Sequence, residues 1–172
     1  LPEPDCNKVS YISFDDLNGK LKELLGNKNY DTVIHLSAVG DYSPESIEID
    51  NNKILLPLKE KLNSENKEII LHLKRNKKIL NSLREYSSNK EIKIIAFKLT
   101  NTSDKVEREK AVIKLCNESY PDYVILNDKN DRDDRNYQKN FTLYHNLEKI
   151  EDYETANQLA VQIEKLLTTA IK

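Results

Sequence analysis

Three short apolar runs constrain this chain most: Thr32 to Leu36, Ile92 to Phe97 and Tyr123 to Leu126. Compact runs of this kind, rich in β-branched residues, read as buried strands, and the first as a parallel one. Helical patterns lie between and after them. Asp15 can cap a helix with Leu17, Leu21, Leu24 and Leu25 on one stripe, ended by Gly26. Asn76 can open a second, carrying Ile79, Leu80, Leu83 and Tyr86. Ser103 or Asp104 opens a third, running to about Ser119 with Val106, Ile113 and Cys116 on one side. The terminal helix is the clearest, with Ala156, Leu159, Ala160, Ile163, Leu166, Leu167 and Ala170 on the 3.6-residue period.

Weaker signals fill the rest. Val9 to Phe14 is short and extended, and Phe141 to Tyr144 is a short strand. In Lys67 to Leu73 the alternation of Ile69, Leu71 and Leu73 predicts a strand with one buried face. Gly40 to Ser64 is irregular, broken by Pro44 and Pro57, and Lys129 to Asn140 is a polar loop. Strands alternating with helices predict an α/β fold, a single domain with a mostly parallel sheet flanked by helices. Ligands of such sheets bind beyond the carboxyl ends of the strands. That rule singles out Ser37 to Asp41, Phe97 to Asn101, and Asn127-Asp128.

Composition narrows the function. The 172 residues suit one core, and 27 basic against 29 acidic side chains leave a formal net charge of -2. That balance offers no electrostatic footprint for nucleic acid or an anionic membrane. No apolar run is long enough to span a bilayer, and Leu1-Pro-Glu-Pro-Asp5 is neither basic nor apolar, as a signal peptide would be. Cys6 and Cys116 match no metal or redox spacing, so a reduced, cytoplasmic setting is expected. His35, His72 and His145 are scattered, and no metal site built from protein ligands is expected. With three glycines the chain cannot build a glycine-rich phosphate loop. It also lacks any Met, an initiator included, which indicates a processed or excerpted sequence.

Several residues could carry chemistry, each beside a plainer reading. Ser37 to Asp41 follows a strand directly, and its small residues let a ligand approach the backbone. Asp41 would put a carboxylate at the mouth of such a site, but it also suits an ordinary turn. Lys61, in a polar stretch, could close over a phosphate as a point charge or be a solvated lysine. Asn76 to Ile79 opens a helix, where free N–H groups attract anions, but from spacing alone simple capping by Asn76 is the favoured reading. Lys110 and Lys114 lie one turn apart on a helix and could reach a polyphosphate or form a solvated face. Asp131, Asp133 and Asp134 alternate with Arg132 and Arg135, the pattern of a self-neutralised loop.

Together these segments resemble the phosphopantothenate–cysteine ligase family, the DNA/pantothenate metabolism flavoprotein C-terminal domain. Asp31 to Pro44 resembles its strand followed by Ala-Val-x-Asp-Tyr/Trp-x-Pro, and Lys61-Leu-Asn-Ser64 its Lys-Ile-x-Ser/Lys loop. Leu71 to Leu80 is similar to its Leu-x-Leu-x-Lys-Asn-Pro-Asp-Ile-Leu segment, and Ile94 to Leu99 to its Val-Gly-Phe-Ala/Lys segment. Tyr120 to Asp128 is similar to its Ala-Asp-x-Ile-x-Ala-Asn-Asp segment. Order and spacing agree from about Asp31 to Asp128.

The resemblance implies a three-layer, Rossmann-like (ribokinase-like) fold. It also implies a ligase of coenzyme A biosynthesis. The carboxylate of 4′-phosphopantothenate would attack the α-phosphate of CTP or ATP, with Mg²⁺ screening the phosphates. The cysteine amine would then attack the acyl nucleotidylate. By position, Lys61 would be catalytic, closing over the bound substrates. His35, Leu36, Ser37, Asp41, Asn76, Lys77, Lys78, Ile79, Phe97 and Lys114 would line the nucleotide and substrate site. A homodimer is implied as well. Departures are visible. Glu118 stands where the family has a second helix lysine, Lys77 and Lys78 replace Pro-Asp, and Gly40 stands where Ala or Ser is usual. The family's opening Gly-Gly-Thr strand–loop–helix unit is not in this sequence, so the chain is either a fragment or a diverged relative. Such a relative would be non-catalytic and bind a nucleotide or a protein partner.

Overall fold

A computed structural model describes residues 6–169; Leu1 to Asp5 and Ala170, the last member of the terminal stripe, lie outside the described residues. In chain order the elements are α1 (Phe14–Asn27), β1 (Thr32–His35), β2 (Tyr42–Ile49), β3 (Asn52–Leu55), β4 (Ile70–Arg75), a 3₁₀ turn (Ile79–Ser82), α2 (Leu83–Tyr86), β5 (Lys93–Thr100), α3 (Lys105–Ser119), β6 (Tyr123–Asp128), β7 (Phe141–His145), β8 (Glu148–Tyr153) and α4 (Ala156–Thr169). They form two compact units. One comprises residues up to Lys20 together with Ala38–Lys78, the other Leu21–Ser37 together with the residues from Ile79 onward.

The larger unit is the expected α/β structure. Its five-stranded sheet has the order β1-β5-β6-β7-β8. β5 runs parallel to β1 and β6, while β7 is antiparallel to both its neighbours, so four of the five strands share one direction. The apolar runs of β5 and β6 are continuous because both faces are covered, but the run Thr32 to Leu36 is not the buried strand expected, since β1 is an edge strand with Ile34 exposed and Leu36 exposed just after it. On one face Ile95, Ile125 and Leu143 pack with Leu159 and Ile163 of α4. On the other, Val124, Leu126 and Tyr144 pack with Val112, Leu115 and Cys116 of α3. Alternation along β6 thus feeds two cores and makes three layers. Burying each of Ile95, Ile125 and Leu143 completely contributes roughly 1.5–3 kcal/mol.

Several local expectations need correction. Ser13, not Asp15, sits at the start of α1, its hydroxyl accepting from the Asp16 N–H at 3.2 Å. Val9 to Phe14 forms no strand, and Phe14 is already helical. On α3 the expected stripe is displaced. Val106 and Ile113 are exposed, and Val112, Leu115, Cys116 and Ser119 turn inward. Both stripes satisfy helical spacing, and only the facing strands decide between them. Asp104 does cap α3, accepting from the Val106 N–H at 2.8 Å. The helix expected from Asn76 is instead the 3₁₀ turn and the single turn of α2. β8 was not legible: its sequence is charged, and of its residues only Tyr153 is buried. It follows β7 through Asn146-Leu147, both at positive φ (46° and 67°), the geometry of a tight hairpin turn.

The smaller unit holds a three-stranded antiparallel sheet, β3-β2-β4. Asp50 and Asn51, at φ 49° and 62°, make the two-residue turn between β2 and β3. Pro44 lies inside β2 yet breaks nothing. There β2 pairs only with β4, because β3 joins from Ser46 onward, and a bulge follows between Pro44 and Ser46. The buried face expected for Ile69, Leu71 and Leu73 is absent, since all three are exposed, Leu71 and Leu73 by about half. β4 is an edge strand of this sheet.

Candidate functional site

In the larger unit the carboxyl ends of β1, β5 and β6 come together as the fold requires. His35 pairs in register with Ala96, so Phe97 lies just beyond it on the neighbouring strand, and Thr100 pairs with Asp128 at the far end of β6. Leu36 and Ser37 follow β1 and are exposed. Burial pushes the His35 imidazole below its ordinary pKa, leaving it uncharged at neutral pH, a hydrogen-bonding group and not a cation. Ile79 is buried and offers a ligand no accessible side chain. Lys114 is exposed on α3, with Glu118 one turn on at 3.8 Å. The acidic replacement therefore sits where it draws off this lysine's charge.

In the smaller unit two expected segments are brought together. The Asn76 N–H donates to the Asp41 carbonyl at 2.8 Å. Its side-chain amide donates to the Gly40 carbonyl at 2.9 Å and the Ser43 hydroxyl at 2.7 Å. Asn76 is thus the tie that shapes the Gly40–Ser43 loop, not a helix cap. The loop is tight there, as a Cβ on Gly40 would stand 3.3 Å from the Tyr42 carbonyl oxygen. A cavity of about 230 Å³ opens on this loop, lined by Tyr11, Phe14, Gly40, Tyr42, Ser43 and Asn76. Asp41 and Lys61 are exposed, as are Lys77 and Lys78. Lys61 lines a separate groove of about 540 Å³ with Lys59, Ile54, Leu55, Pro57 and Leu62.

One cluster escaped the sequence reading. Asp128 is fully buried at the end of β6. One of its oxygens accepts from the Thr100 hydroxyl at 2.6 Å and the Thr102 N–H at 2.9 Å. The other accepts from the N–H and the side-chain amide of Asn130, both at 3.0 Å, and lies 3.4 Å from the Arg108 guanidinium. Burial raises the pKa of this carboxyl, but the donors and Arg108 outweigh it and hold it at about 2. Arg108 also donates to the Thr102 carbonyl at 2.7 Å and to Asp131 at 3.0 Å. Asn127-Asp128 was visible as a strand end, but nothing local to Arg108 marks it as the partner. Among the described residues, no group of three or more His, Cys, Asp or Glu is placed to hold a metal ion.

Comparison with known proteins agrees with this architecture. The family model of the DNA/pantothenate metabolism flavoprotein C-terminal domain matches residues 3–170. No curated protein matches the sequence. Among solved structures, the DNA/pantothenate metabolism flavoprotein from Streptococcus pneumoniae is similar at 21% identity and a TM-score of 0.77, covering 99% of this chain and 76% of that one. The C-terminal domain of the coenzyme A biosynthesis bifunctional protein CoaBC is similar at 21% identity and a TM-score of 0.56, covering 94% of this chain and 66% of that one. A Cab2 mutant (H337A) in complex with phosphopantothenate-cysteine is similar at 14% identity and a TM-score of 0.61, covering 95% and 55%. The chain thus spans about three quarters of the first and between half and two thirds of the others.

Proposed function

Since this chain belongs to the DNA/pantothenate metabolism flavoprotein C-terminal domain family, we propose that it serves coenzyme A biosynthesis as a phosphopantothenate–cysteine ligase or the C-terminal portion of one. The carrying observation is the family match along residues 3–170. The Cab2 complex with phosphopantothenate-cysteine supports the choice of small molecules. In the reaction, the carboxylate of 4′-phosphopantothenate displaces pyrophosphate from CTP or ATP to give an acyl nucleotidylate. The cysteine amine then attacks its carbonyl and releases the nucleoside monophosphate. Such chemistry needs positioning and charge neutralisation more than covalent help from the protein.

In this reading Lys61 closes over the phosphates, and its place on the groove in the smaller unit supports that role. His35 to Ser37, Phe97, Lys114, Asp41 and Asn76 to Lys78 are the other residues proposed to bind. Ile79 contributes only backbone. Mg²⁺ would enter with the nucleotide, neutralising phosphate charge and held by phosphate oxygens. Among the described strands β1 pairs only with β5, which leaves its other edge open to a further strand. A cytoplasmic homodimer completes the proposal.

The test is turnover of phosphopantothenate with cysteine under CTP or ATP, comparing the parent protein with Lys61→Gln. Ligation should fall strongly with the fold intact, and unchanged turnover would remove Lys61 from the site. A second reading, a diverged relative that binds nucleotide without ligation, is favoured by the Lys114–Glu118 pair. It predicts that CTP or ATP raises the unfolding midpoint while no ligation occurs.

A further inference from the structure

We propose that Asp128 and Arg108 are positioning residues, holding the Asn101–Asp104 turn and the start of the 129–140 loop as fixed walls of a ligand crevice beyond the carboxyl ends of β5 and β6. The inference rests on the proposed reading that this chain binds a nucleotide, and on the rule that ligands of such sheets lie beyond the carboxyl ends of the strands. The cluster is no ligand site itself, because both Asp128 oxygens are occupied by protein donors and the side chain is fully buried.

What the pair supplies is direction. A buried carboxylate–guanidinium pair gains little net stability, since desolvation takes back most of the attraction, and apolar side chains would close the same gap. The charges instead grip Thr102 from both sides. Its N–H is held by Asp128 and its carbonyl by Arg108. The same two residues reach the next loop, Asp128 through Asn130 and Arg108 through Asp131. The Gln138 amide then donates to the carbonyls of Asp128, Asp131 and Lys139, tying the loop's two ends. As a result the exposed Asn101 and Asn130 are held with their amide atoms 3.4 Å apart at the sheet's edge. A wall ordered before the ligand arrives spares the ligand the ordering cost.

Asp128→Asn and Arg108→Lys test this in the full chain, by hydrogen exchange and by calorimetric affinity for CTP and ATP well below the unfolding midpoint. Exchange should speed up in 101–104 and 129–140 and not elsewhere, and the nucleotide Kd should weaken by about tenfold. Leu143→Ala, which loosens the core remotely, should lower the midpoint without moving Kd. Faster exchange spread evenly over the sheet, or a Kd unchanged in both variants, would overturn the proposal. If Asp128→Asn does not fold, Arg108→Lys, which keeps the charge but loses the fork, decides alone. If the parent chain binds neither nucleotide, the functional reading fails separately. The exchange pattern then judges the clamp, local loosening supporting it and unchanged exchange overturning it.

Discussion

Acid should unfold this protein partly through Asp128. Burial by itself would raise the carboxyl's pKa, but the Thr100 hydroxyl, the N–H groups of Thr102 and Asn130, and Arg108 together bring it from 3.8 to about 2. That drop corresponds to about 2 kcal/mol of folding free energy. A carboxyl depressed in the folded state binds protons more weakly there than when unfolded. Its contribution is therefore complete above the unfolded pKa near 3.8 and is lost as pH falls through the folded value near 2. Asp16, Asp122 and Asp152 are also depressed and add to the same slope. The informative quantity is thus the difference between the parent and Asp128→Asn, which cannot titrate. Urea unfolding at a series of pH values from 6 down to 2 measures it. The variant should start less stable at neutral pH by about 2–4 kcal/mol, since it leaves buried donors and Arg108 poorly matched. It should then lose about 2 kcal/mol less than the parent between about pH 4.5 and 2. Parallel curves would show that Asp128 is not a buried, donor-held carboxylate.

Leu143→Ala removes a fully buried side chain from between β6 and α4 and should cost about 2–5 kcal/mol in denaturant unfolding. A cost below about 1 kcal/mol would place β7 outside the core. Asp104→Ala removes the cap of α3 and should cost about 1 kcal/mol, with Asp104→Ser restoring most of it; no change would mean the cap is not formed in solution. Sedimentation should show a homodimer, and a monomer at all concentrations would count against the family's assembly here.

Particular residues show why the fold was more legible than the site. The apolar runs at Ile92 and Tyr123 announced β5 and β6 because burial on both faces leaves no place for polar alternation, whereas the run at Thr32 forms an edge strand with Ile34 exposed. Leu159 and Ile163 announced α4 because a single helical stripe is buried. β8 was silent because an edge strand can be almost wholly charged and still pair through its backbone. Asn76 misled because a side chain that caps locally can equally reach across to a loop. Its partners, Gly40 and Ser43, stand more than thirty residues away.

What the sequence determined by itself was the alternation of strand and helix and the family pattern from Asp31 to Asp128. These depend on local periodicity and on spacing along one chain. Tertiary structure alone decided which stripe of α3 is buried and that Ile69, Leu71 and Leu73 lie exposed. It also decided that Asp128 meets Arg108, as only folding brings together residues of β6 and α3. The physical reason is common to all three. Burial and charge pairing are properties of what faces a residue, and that partner comes from a distant segment whose approach the local sequence does not encode.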